Sequence, residues 1–110
     1  MIVVWRVTER CNLRCAFCGY DRGLVRSRRS ADPAAALLLG EALAAYQQRS
    51  GDPVLVSWLG GEPLLWVPLR ELTTVFVERL GLRVSVTTNG TALSASATRA
   101  HLLAHYAEVT

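Results

Sequence analysis

The stretch that most constrains the fold is Pro53-Val54-Leu55-Val56-Ser57-Trp58-Leu59, followed at once by Gly60-Gly61-Glu62-Pro63. The run is nearly continuous in apolar residues. That pattern predicts a strand buried on both faces, as in a parallel sheet. The Gly-Gly-Glu-Pro stretch then breaks it.

The flanking segments supply the partners such a sheet needs. Residues 2–8 alternate loosely, with Val3, Trp5 and Val7 against Arg6 and Thr8, and predict a first short strand. Asp32-Pro33 reads as an N-cap with proline at the first helical position. Leu39, Leu43 and Tyr46, with Leu38, Ala42 and Ala45 beside them, predict one broad apolar stripe on a helix of about 16 residues. Ser50-Gly51 ends that helix. Pro68 opens a second helix on which Leu69, Leu72, Val75, Phe76 and Leu80 share a face, and Gly81 closes it. Residues 82–88 predict a third strand running into Thr88-Asn89-Gly90. Ser94 is expected to cap a third helix through about Leu103, and residues 107–110 read as the start of a fourth strand.

The expected fold class is therefore α/β: a partial (β/α) barrel of three βα units plus the start of a fourth strand. In such sheets the loops at the carboxyl ends of the strands gather on one edge, where ligands bind. Residues 11–18, 60–63 and 88–90 all fall on that edge.

Cys11-Asn12-Leu13-Arg14-Cys15-Ala16-Phe17-Cys18 holds every cysteine of the chain within one loop. An odd number of clustered cysteines, with no basic leader before a long apolar stretch, points to a reducing compartment and metal binding rather than disulfides. The expected localisation is cytoplasmic. No apolar run is long enough for a membrane span, because Glu41 interrupts the longest candidate. Hydrophobic residues at 51% suffice for a core, and charged residues at 19% argue against disorder.

All basic residues are arginine, and the net charge is +3. Arg22, Arg26, Arg28 and Arg29 crowd one segment. They read as a solvated loop, since no aromatic residues beyond Tyr20 are interleaved, and nucleic acid is not an expected partner. His101 and His105 read as surface or packing residues. Trp58 and Trp66 read as core or cavity rim.

Three thiolates suit an iron–sulfur cluster better than structural zinc, which normally takes four ligands. On a [4Fe–4S] cube they leave one iron open to substrate or cofactor. The Cys11-x-x-x-Cys15-x-x-Cys18 spacing, with an aromatic just before the last cysteine, resembles the signature of the radical S-adenosylmethionine (radical SAM) superfamily. Gly60-Gly61-Glu62-Pro63 at the end of the second strand resembles it too. The wording around the cysteines and Thr88-Asn89-Gly90 are most similar to the peptide- and protein-modifying branch.

The resemblance implies a set of roles. Cys11, Cys15 and Cys18 would hold the [4Fe–4S] cluster, and S-adenosylmethionine would chelate the open iron. Phe17 would flank the cluster near the adenine. Gly60, Gly61 and Glu62 would lie along the methionine amino group, and Asn89 would face the same cavity. Pro63 would stiffen the turn. One-electron reduction by an electron donor would cleave the sulfonium to methionine and a 5′-deoxyadenosyl radical. That radical abstracts hydrogen from a substrate, taken here as a peptide.

The resemblance covers the first half of the family's six-stranded core. Residues 1–110 are therefore expected to be the N-terminal part of a radical SAM core domain, and to show little turnover alone. The alternative is a non-catalytic zinc or Fe–S module, or an inactive remnant needing a partner.

Overall fold

A computed structural model describes residues 1–18 and 29–110. Four strands, β1 (Ile2–Thr8), β2 (Leu55–Gly60), β3 (Arg83–Val86) and β4 (Glu108–Val109), form one sheet in the order β1-β2-β3-β4. All pairings are parallel. Helices α1 (Pro33–Ser50), α2 (Leu69–Thr74) and α3 (Ser96–His105) connect them. This is the expected open, partial barrel; the sheet does not close.

Register aligns Val3 with Val56 and Val84, and Trp5 with Trp58 and Val86. These side chains, with Val7, point to one face and meet the helices. Val56, Trp58, Val84 and Val86 are essentially buried there. The other face is uncovered: Ile2 is 68% exposed and Val4 61%. The expectation that 53–59 is buried on both faces is therefore corrected. Along β2, buried Val56 and Trp58 alternate with half-buried Leu55, Ser57 and Leu59, because helices pack on one side only.

Asp32 caps α1 as its sequence implies, its carboxylate accepting the Ala35 N–H at 3.4 Å. Gly51 ends the helix at φ 70°. The apolar stripe is narrower than expected: Leu43 is buried and Leu39 and Tyr46 pack against the core, but the flanking positions do not. Ala36, Gly40, Leu43 and Ala44 are the buried positions, while Leu38, Ala42 and Ala45 are exposed. The reason is Phe76: a Cβ on Gly40 would overlap its ring, so α1 seats its small residues against that aromatic.

The second helix changes pitch. Directly after α2 the chain continues in a π-helical turn, Val75–Arg79, with the Leu80 N–H donating to the Val75 carbonyl at 3.0 Å. Ser94 does not cap α3. Thr91–Ser94 form a 3-10 turn, Ala95 occupies the cap without a side-chain bond, and the Arg99 guanidinium instead binds the Leu93 and Ser94 carbonyls.

Residues 29–31 do not run free as loop. They pair antiparallel with the end of β1: the Ala31 N–H donates to the Val7 carbonyl (2.7 Å) and the Glu9 N–H to the Arg29 carbonyl (2.8 Å). Tyr20, Arg22, Arg26 and Arg28, and with them most of the expected arginine loop, lie outside the described residues.

Among the described residues no helix is long and apolar enough to cross a membrane.

Candidate functional site

The three strand-end segments meet through hydrogen bonds rather than through apolar packing. Past β1 the chain turns back over β2: the Gly61 N–H donates to the Thr8 carbonyl (2.9 Å) and the Glu62 N–H to the Arg10 carbonyl (2.7 Å). Glycine is required here. A Cβ on Gly60 would lie 2.5 Å from the Thr8 carbonyl oxygen, and one on Gly61 would overlap the Arg10 carbonyl. The glycine pair lets the cysteine-bearing segment lie directly on the end of β2.

Glu62 is fully buried. One oxygen of its carboxylate accepts the Leu64 N–H (3.0 Å) and the Thr88 hydroxyl (2.8 Å). The other accepts the Asn89 N–H at 2.6 Å. A buried carboxylate is costly unless its lone pairs are satisfied, and three donors do so here. Its position ties the loop after β2 to the loop after β3.

Asn89 carries the link onward. Its Nδ2 donates to Asn12 Oδ1 (2.8 Å) and reaches Cys11 Sγ at 3.8 Å. Its Oδ1 accepts from both the N–H (3.1 Å) and the hydroxyl (2.8 Å) of Thr91. Asn12 Nδ2 donates to Thr91 Oγ1 at 2.9 Å. Asn12 and Thr91 were not singled out from the sequence. Asn12 sits inside the cysteine stretch, and only the fold puts it against Thr91, 79 positions along.

Cys11, Cys15 and Cys18 form no disulfide, and each is half-buried. The Leu13 N–H donates to Cys11 Sγ at 3.4 Å, and the Cys18 N–H to the Cys15 carbonyl at 3.0 Å, which folds residues 15–18 into a turn. Among the described residues no three His, Cys, Asp or Glu side chains are gathered around a common point, so the three sulfurs are not drawn together. The Phe17 ring is 91% exposed at the outside of this loop. The donor set itself fits an iron–sulfur cluster. Three soft sulfurs, uncommitted to disulfides, lie on one short loop beside a backbone cradle that admits no side chain.

The histidines lie apart, on α3. His105 Nε2 meets Glu78 Oε1 at 3.1 Å, and its ring stacks 4.4 Å from that of His101. Burial first, then His105 and Arg70, hold His101 below the ordinary imidazole range. His101 and Arg70 line a cavity of about 230 Å³ between α2 and α3, with Trp66, Leu102 and Tyr106. Trp58 and Trp66 are core residues, as expected.

A parallel βα edge bearing three cysteines, a glycine cradle and a buried glutamate defines a class. Residues 5–110 match the Radical SAM superfamily, and the chain belongs to it. It is similar to the Fe-coproporphyrin III synthase of Methanosarcina barkeri, 33% identical over 90 residues that cover 82% of this chain and 21% of that protein. It is similar also to the 7-carboxy-7-deazaguanine synthase of Hyperthermus butylicus, 43% identical over 81 residues, 73% of this chain and 31% of that protein. The chain thus spans less than a third of the length of either relative.

Proposed function

We propose that residues 1–110 are the N-terminal part of a radical SAM catalytic core, with Cys11, Cys15 and Cys18 holding a [4Fe–4S] cluster that leaves one iron open. Gly60 and Gly61 border S-adenosylmethionine, with Phe17 near its adenine, and Glu62 is buried behind them. When bound, the cluster and S-adenosylmethionine supply reductive cleavage of the sulfonium and a radical that abstracts hydrogen. The chain's own residues do the positioning. Gly60 and Gly61 let the end of β1, and with it the cysteine segment, seat directly on β2. Glu62 fixes the neighbouring loop. The loop must close for three sulfurs to share one cube, so cluster binding and loop ordering are coupled.

The observation that carries this reading is the hydrogen-bonded joining of the three strand ends through Thr8, Arg10, Glu62 and Asn89. The wording of residues 11–18 and 88–90 favours a peptide substrate. The names of the two relatives point instead to small-molecule products, an Fe-coproporphyrin and a carboxy-deazaguanine.

Anaerobic reconstitution with iron and sulfide tests the proposal. The expected result is about four irons per chain with the broad visible absorption of a cluster. Uptake is abolished by Cys→Ala at any one of Cys11, Cys15 and Cys18. Stoichiometric zinc binding without cluster uptake would replace this reading with a structural metal module.

A further inference from the structure

We infer that Asn89 is a positioning residue whose side-chain amide donates to the Cys11 sulfur and thereby raises the reduction potential of the group that sulfur holds. The inference rests on the reading of Cys11 as a cluster ligand. It assigns Asn89 a role toward the metal through Cys11 rather than contact with S-adenosylmethionine.

A carboxamide nitrogen has two N–H donors. One of Asn89's goes to Asn12 Oδ1 at 2.8 Å, and the other is directed at Cys11 Sγ, 3.8 Å away. Asn89, Asn12 and Thr91 are all exposed, and the orientation of the amide is set by its hydrogen-bond partners. Its Oδ1 accepts the Thr91 backbone N–H, a group that can only donate, and the Thr91 hydroxyl. Flipping the amide would set N–H against N–H. Thr91 Oγ1 accepts from Asn12 Nδ2 in turn, closing a ring of three side chains. The backbone is held as well, because the Asn89 N–H donates to the fully buried Glu62 carboxylate. The donor at Cys11 is therefore fixed by both its own backbone and its own side chain.

Reduction of an iron–sulfur cluster adds negative charge that spreads onto the ligating sulfurs. An N–H aimed at one of them favours the reduced form and raises the potential. Partners of this kind also fix the orientation of the ligand. Asn89→Ala removes the donor. Asn89→Asp goes further, placing carboxylate oxygen and negative charge where the amide stood. Thr91→Val keeps the donor but loosens its orientation.

The wild-type chain and the Asn89→Ala, Asn89→Asp and Thr91→Val variants are reconstituted anaerobically with iron and sulfide. Each is then titrated to its midpoint by electron paramagnetic resonance, without S-adenosylmethionine. We expect iron content equal to wild type in all three. At a fixed applied potential the ratio of reduced to oxidised cluster falls severalfold in Asn89→Ala, less in Thr91→Val, and about tenfold in Asn89→Asp, equivalent to 59 mV for a one-electron couple. A purely structural Asn89 would change iron content or melting temperature and leave the midpoint alone. Full iron content with unshifted midpoints in Asn89→Ala and Asn89→Asp overturns the inference and leaves the cluster assignment standing. If Asn89→Asp takes up no cluster, the same criterion is applied to Asn89→Ala and Thr91→Val. Absence of a cluster in wild type overturns the cluster assignment itself, and this inference with it.

Discussion

The helix-covered face of the sheet and its carboxyl edge are held by different physics. Beneath the helices, Trp58 is fully buried between Trp5, Trp66 and Phe76, with ring centroids 5.9, 6.5 and 5.2 Å away. Its one polar atom, Nε1, donates to Thr73 Oγ1, which also bonds Tyr106. At the carboxyl edge the contacts are polar, short and specific: Glu62 to Thr88 and Asn89, Asn89 to Asn12 and Cys11. The apolar centre tolerates variation in detail as long as volume is kept. Around Glu62 the edge depends on each partner, since losing one leaves a buried polar group unsatisfied, whereas the Asn12, Asn89 and Thr91 side chains are exposed to water. A region of the first kind sets stability, and one of the second kind sets the geometry of a site.

The largest expected effect falls on the apolar centre. Trp58→Ala should cost about 3–5 kcal/mol, a large share of a small domain's stability, and lower the chemical-denaturation midpoint accordingly. Glu62→Ala should cost about 2–3 kcal/mol, because the Leu64 and Asn89 N–H groups and the Thr88 hydroxyl all lose their acceptor. The distinguishing measurement is amide hydrogen exchange. Glu62→Ala should lose protection locally at Leu64 and Asn89, whereas Trp58→Ala should lose it across β1, β2 and β3 together. Global loss in Glu62→Ala would show that edge and centre are one unit.

What was legible in the sequence follows the same division. The order of strands and helices, the Asp32 cap and the Gly51 stop came from local chemistry, and the structure has them. Local pattern failed where a partner decides the outcome. Gly40 counts for nothing on an apolar stripe, yet it is where α1 meets Phe76. Leu38 counts heavily, yet it is 67% exposed. Ser57 within the run at 53–59 was the available sign that β2 has one uncovered face. At the edge, the cysteines and glycines stood out by residue type. The inward turn of Glu62 and the ring of Asn12, Asn89 and Thr91 depend on contacts between residues far apart in sequence, which no local pattern encodes.

A smaller effect tests whether the helical layer is independent of the edge. Asp32→Ala removes the acceptor for the Ala35 N–H and should cost about 1 kcal/mol. Iron uptake per chain after reconstitution should be unchanged. Loss of uptake would tie the start of α1 to the cysteine loop, which Ala31, Arg29 and their bonds to the end of β1 make the natural route.

The smallest effect is read by pH and reports on the centre alone. Burial lifts the Tyr106 hydroxyl to about 12, although its bond with Thr73 pulls the other way. A phenol whose proton is held more tightly in the folded than in the unfolded chain adds no pH dependence below its unfolded value, about 10. Above that the unfolded chain ionises first, so stability falls as pH rises towards the folded value. The expected loss is a few tenths of a kcal/mol at about pH 10 and roughly 1 kcal/mol by about pH 11. Tyr106→Phe should flatten this alkaline limb while losing the Thr73 bond at neutral pH. Thermal melts of both proteins between about pH 8 and 11 measure it. An equal alkaline slope in Tyr106→Phe would move the titrating group elsewhere, and would mean that the Trp58–Thr73–Tyr106 chain is open to water rather than sealed beneath the helices.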